Sequence, residues 1–244
     1  MKSKYTATKL ACYVGYIVQA VINNFLPILF IALQDVYGLG YEKLARLIIF
    51  NFVSQIAVDF SAPKIVAVFG YKKSAAISQA MAAFGLILMG ILPRVMNNTY
   101  LAIIISIIVY AIGSGMMEVI ISPIIEMLPS NNKSGNMAFL HSFYCWGHVA
   151  VVLLSTLFFV LTGESVRLLL PVFWAVVPLL NLLLFLAVPL PPPLAEGKPM
   201  PTGKLVKNGF FWMLIVLMVC AGASEQGMSQ WSSYFAEVGL NVNK

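Results

Sequence analysis

Four carboxylates interrupt stretches of this sequence that are otherwise apolar: Asp59, Glu118, Glu126 and Glu225. A charged side chain at the centre of a bilayer costs roughly 2.5–3.5 kcal/mol on insertion scales, so it is retained where it has a partner or a task. Glu126 stands close to Pro129 and reads as an interface residue. Glu118 lies deeper, about 6 Å from the middle of its apolar segment at 1.5 Å per residue. Around it the sequence runs AIGSGMMEVIISP, with Gly113 and Gly115 before it and Pro123 after it. Small residues allow close helix approach, and a proline loosens backbone hydrogen bonding. The chemistry on offer is protonation of a carboxylate that faces an internal cavity. The alternative is a structural glutamate bonded to a neighbouring helix. Asp59, near the midpoint of its own segment, carries the same pair of readings: ion coupling or a structural pair.

Amides and imidazoles supply the remaining polar groups. In VQAVINNFLP, Gln19 and Asn23 share a helix face, Asn24 is turned about 100° from Asn23, and Pro27 follows. In MAFLHSFYCWGHV, His141 and His148 face the same side two turns apart. His148, near mid-depth, could relay a proton because histidine titrates near neutral pH. Its other reading is a structural or gating contact. In GASEQGMSQWSSYFAEV, Gln226 and Gln230 share one face, with Trp231 and Tyr234 nearby and Glu225 in need of a partner. Amides beside an aromatic ring suit a sugar-like ligand, bonding its hydroxyls and covering its C–H face; polar contacts between helices would use the same residues. No Gly-rich phosphate loop, HExxH, CxxC or GxSxG occurs, so no catalysis, cofactor or metal is expected.

The elements that hold these groups follow from composition. Of 244 residues, 60% are hydrophobic and 10% charged, with a mean hydropathy of +0.90. An ordinary soluble domain carries about 25% charged residues, so a soluble enzyme, a disordered tail and a disulfide scaffold are all excluded. Seven apolar runs of spanning length can be marked at 10–33, 44–69, 75–93, 100–128, 137–162, 168–190 and 208–236. Short breaks such as FGYKKS and PSNNKSGN separate them. The longer segment PPPLAEGKPMPTGKLVKN reads as a solvated linker between two bundles. With a cytoplasmic N-terminus, ten of the fifteen basic residues fall inside, among them Lys72, Lys73 and Lys133, and five outside. The net charge of +6 is then a topology signal, and no nucleic-acid partner is implied. Cys12, Cys145 and Cys220 read as small buried hydrophobes.

Prolines after mid-depth polar groups, in the first and fourth spans alike, place an interruption at matching positions of two inverted three-helix repeats, which points to a transporter site. The topology resembles the major facilitator superfamily, whose loop between spans 2 and 3 has the pattern G-x-x-x-D-R/K-x-G-x-R/K-R/K. Gly70, Lys72 and Lys73 match its end, while Pro63, Ala67 and Val68 stand at the first glycine, the aspartate and the basic position. MEVIISPIIEMLP, MAFLHSFYCWGHV and EQGMSQWSSYFAEVGL are similar to the fucose–galactose–glucose:proton symporters. That resemblance implies that Glu118 is a carboxylate of proton or sugar handling and that Gln226 and Trp231 face substrate. Asn23–Asn24 stands where that family has Asn–Asp.

The expectation is therefore an all-α membrane protein of major facilitator type. A six-helix bundle (two inverted three-helix repeats) spans 1–190, a cytoplasmic linker 191–207, and the first helix of an incomplete second bundle 208–244. It would move a sugar or similar small polar solute with protons across the cell membrane. Glu118, Asp59 and His148 would handle the proton, and Asn23, Asn24, Glu225, Gln226, Gln230 and Trp231 the solute. Its partners are the solute, protons, lipid and the helices or second chain that complete it. A drug or metabolite exporter, or a non-transporting receptor or assembly subunit, is the alternative.

Overall fold

The computed structural model describes residues 5–162, 164–190 and 202–239, and these are helical almost throughout. The helices are α1 (Thr6–Ile28), α2 (Phe30–Tyr37), α3 (Tyr41–Val95), α4 (Thr99–Met127), α5 (Lys133–Thr162), α6 (Leu170–Ala187), α7 (Thr202–Val206) and α8 (Gly209–Gly239), with a 3₁₀ turn at Glu164–Leu169. Among the described residues six helices are long and apolar enough to cross a membrane. The chain is a multi-pass membrane protein. It divides into two units, Met1–Pro192 and Pro193–Lys244.

Two of the seven expected spans are one continuous element. α3 runs for 55 residues and turns only at Gly70, whose φ of 73° and ψ of 162° leave the helical region. A left-handed φ carries little steric cost for glycine, so the break expected at FGYKKS shrinks to a single residue. Both arms, 41–69 and 71–95, can cross the roughly 30 Å hydrocarbon core. The first span is divided instead: α1 ends one residue after Pro27, and α2 takes over at Phe30. Pro123 does not interrupt α4, contrary to the matching interruption expected there. The helix continues to Met127 with Pro123 inside it, so the two repeats differ at this point.

Side-chain caps start α4 and α5. Asn98 Oδ1 accepts the Leu101 amide at 3.0 Å at the head of α4, and Asn132 Oδ1 accepts the Gly135 amide at 2.8 Å at the head of α5. Each satisfies one of the amides that a helix start leaves without a carbonyl.

Within the first unit, α1 packs on α4, α5 and α6, α4 packs on both arms of α3, and α3 packs on α6. This set maps onto itself when spans 1, 2 and 3 exchange with spans 4, 5 and 6, as two inverted three-helix repeats require. The interior falls into two apolar clusters. One gathers Val18 to Leu33 of the first span with Ile103, Ile107 and Tyr110. The other gathers Ala11, Cys12 and Tyr16 with Met116 to Leu128. Of the three cysteines only Cys12 is buried; Cys145 and Cys220 are exposed, which corrects the buried reading for those two. Their segments are apolar because they face outward, and lipid accepts an apolar side chain as readily as a core does.

In the second unit, Trp212 donates its indole N–H to the Val206 carbonyl at 2.8 Å, tying α8 to α7. The expected linker thus contains one helical turn at 202–206; its residues 191–201 lie outside the described residues.

Candidate functional site

The polar side chains of the first bundle gather at the level where its two apolar clusters divide. α1 carries Tyr16, Gln19 and Asn23, the first arm of α3 carries Asn51, Gln55 and Asp59, and α4 carries Ser114, Glu118 and Ser122. The spacing is three or four residues in each case, so each set forms a ladder along one helix face. Gln19 Nε2 donates to Glu118 Oε2 at 2.7 Å. One turn away Tyr16 OH and Ser122 Oγ share a hydrogen bond of 3.0 Å. On the other side of Gln19, Gln55 Nε2 donates to Asn23 Oδ1 at 2.8 Å. These rungs join α1 to α4 twice and to α3 once.

Close backbone approach makes the rungs short. A Cβ on Gly115 would come within 3.1 Å of the Gln55 backbone, so α4 and the first arm of α3 touch where a side chain would hold them apart. Asp59 stands one turn below Gln55 and within electrostatic reach of Glu118. Its Oδ1 is buried with no hydrogen-bond partner, as is Asn51 Oδ1.

Glu118 itself is exposed. Along α4 from 106 to 125 every other residue is buried or half-buried, and the one carboxylate in that stretch is the one group open at the bundle surface. One of its oxygens is held by Gln19 and the other remains available. A carboxylate placed this way can take up and give back a proton while its position is fixed by the amide.

The other expected residues are placed as follows. Asn23 is buried and accepts from Gln55. Asn24 is buried and turns its Nδ2 to the Ala20 carbonyl at 2.8 Å, one turn back on its own helix. His148 is half-buried on α5, beyond Gly147, whose missing side chain lets α5 approach Ile17 and Ala20 of α1. His141 is exposed and meets the Tyr16 ring edge-on, with centroids 5.3 Å apart. Glu225, Gln226, Gln230 and Trp231 all lie on α8 in the second unit. There Glu225 and Trp231 are exposed, and Gln226 is half-buried with Oε1 lacking a hydrogen bond. Residues that the sequence reading passed over are Tyr16, Asn51, Gln55 and Ser122. The regular Asn51, Gln55, Asp59 spacing in an apolar segment was the signal for the first arm of α3.

No family model and no curated protein sequence matches the chain. Solved structures do. The major facilitator superfamily proton:xylose symporter XylE bound to 6-bromo-6-deoxy-D-glucose has a TM-score of 0.70 at 12% identity, over 98% of this chain and 55% of that one. The inward-open conformation of the xylose transporter XylE from E. coli has a TM-score of 0.68 at 14% identity, over 91% and 56%. Both are transporters, not enzymes. The chain has the major facilitator fold and spans about half the length of the structures it matches.

Proposed function

We propose that the chain forms the first bundle and the opening helix of the second bundle of a secondary transporter, which moves a sugar or similar small polar solute together with protons. The bundles rock about a midplane site, exposing it to each side in turn. Glu118 carries the proton, and Asp59 and His148 are the further proton-coupling groups of this reading. Asn23, Asn24, Gln226, Gln230, Trp231 and Glu225 are assigned to the solute. The protein lies in the plasma or inner membrane with its N-terminus in the cytoplasm.

One observation carries this reading. In the central turns of α4 the single open group is a carboxylate, and it is fixed by an amide from α1, the helix at the equivalent position of the other repeat. A purely structural glutamate would be covered, since an open charge in the membrane interior is costly. The carbohydrate-binding transporters that share the fold support a sugar as solute.

The test is transport in proteoliposomes. Glu118→Gln keeps size and hydrogen bonding but cannot ionise. It should abolish accumulation driven by a pH gradient while solute counterflow continues at a comparable rate. Undiminished gradient-driven accumulation in that variant sinks the role assigned to Glu118. Counterflow tested with sugars against hydrophobic cations separates the sugar reading from a drug exporter.

A further inference from the structure

Gln19 has more to offer Glu118 than the structure uses. Its Nε2 donates to Glu118 Oε2 at 2.7 Å, while its Oε1 is buried without a hydrogen-bond partner. The side chain as a whole is only 5% exposed, so no open solvent face compensates that oxygen. With Glu118 ionised, the contact determines the amide orientation: turned over, Gln19 Oε1 would stand against a carboxylate oxygen, acceptor against acceptor. An ionised carboxylate only accepts, so it can never satisfy Gln19 Oε1. A protonated carboxyl has an O–H to donate.

We propose that Gln19 is a positioning residue that registers the proton on Glu118, closing a second hydrogen bond from the neutral carboxyl to Gln19 Oε1 and so tightening α1 onto α4. One proton from water attaches to the free oxygen of Glu118, forming a single O–H bond, and returns to water when the site opens to the other side. With the proton on, amide and carboxyl donate to one another and both bonds close a ring. With it off, one bond remains and the buried oxygen is left unpaired. The inference rests on the proton-carrying role proposed for Glu118. The ionisable groups facing Glu118 are Tyr16 from α1, already bonded to Ser122, and Asp59 from the first arm of α3. α5 contributes His141 against the Tyr16 ring, and α6 contributes the neutral Asn181 near Gly15.

Infrared difference spectroscopy of the reconstituted protein, with the glutamine side-chain carbonyls carbon-13 labelled, reads the second bond directly. The Gln19 band is identified by its loss in Gln19→Met, or in Gln19→Glu if the first variant does not fold. The Glu118 carboxyl band is identified by its loss in Glu118→Gln. As pH falls, the Gln19 carbonyl should move to lower frequency at the midpoint where the Glu118 carboxyl band appears. In Glu118→Gln the new amide donates at every pH, so the Gln19 band should stay low and flat, and in Asp59→Asn the Gln19 and Glu118 bands should still move together at whatever pH Glu118 then titrates. Gln19→Met should lower gradient-driven accumulation roughly tenfold, the scale of one lost hydrogen bond. A Gln19 band that stays fixed while Glu118 titrates overturns the proposal, and Glu118 keeps its coupling role if Glu118→Gln still loses gradient-driven uptake. A Gln19 band that moves with Glu118 while uptake ignores the pH gradient upholds the contact and removes the transport reading instead.

Discussion

Tyr16 and Gln19 bind α1 to α4 by different chemistry. The Tyr16–Ser122 bond joins two neutral hydroxyls and has no charge to respond to. Hydrogen bonds between membrane helices average about 0.6 kcal/mol and reach about 1.7 kcal/mol. Tyr16→Phe should therefore lower stability in detergent by about 0.6 kcal/mol, read from thermal unfolding, and leave the pH dependence of uptake unchanged. A shifted pH profile in Tyr16→Phe would transfer to Tyr16 the coupling proposed for Gln19 and Glu118. At this scale the sequence was legible in type and not in pairing. Glu118 stood out because a carboxylate in an apolar run is expensive, whereas its partner Gln19 is 99 residues away and no local period announces it. Asn23 and Asn24, about 100° apart around α1, were both expected to contact the solute. The structure separates them, because one reaches across to Gln55 and the other folds back on Ala20.

Helices in this bundle are positioned by what is missing from their faces. At Gly115 the backbone of Gln55 is 3.1 Å from where a Cβ would sit, so Gly115→Leu has to push α4 off the first arm of α3. Overpacking of this kind costs about 1–3 kcal/mol. The shift also moves Glu118, so this variant should lose uptake as well as thermal stability; full stability would show that the contact is slack. At the head of α4, Asn98→Ala removes the cap on the Leu101 amide and should cost about 1 kcal/mol in the same melting experiment, with uptake preserved. Apolar runs located the helices because a span needs about 20 such residues whatever its neighbours are. Prolines misled, since Pro27 lies at a real helix end while Pro123 is carried inside α4. What a proline does depends on whether neighbouring helices satisfy the carbonyl it frees, and no single segment records that.

The whole bundle repeats its own contacts under exchange of its halves, although the two halves share no evident residue pattern. Helix order and span length carry the fold, which is why it is recovered at 12% identity to a solved transporter while no family model matches. Orientation is the property of the whole molecule that the lysines predict. With the three native cysteines replaced, Asn97→Cys should react with an impermeant maleimide from outside the cell, and Lys73→Cys only after permeabilisation; the opposite pattern inverts the proposed topology. The turn at Gly70 has a consequence of another kind, for how the gene can change. A loop of several residues tolerates a gained or lost codon, but a turn one residue long has no slack. Helices advance about 100° per residue, so a codon added or deleted between the arms of α3 swings the entire second arm. Ser74, Ser78 and Gln79, now buried against the bundle, would be turned out toward lipid. Length there should be far less free to drift than in the turn between α4 and α5, and a survey of viable insertions along the gene would show it as a gap at residue 70.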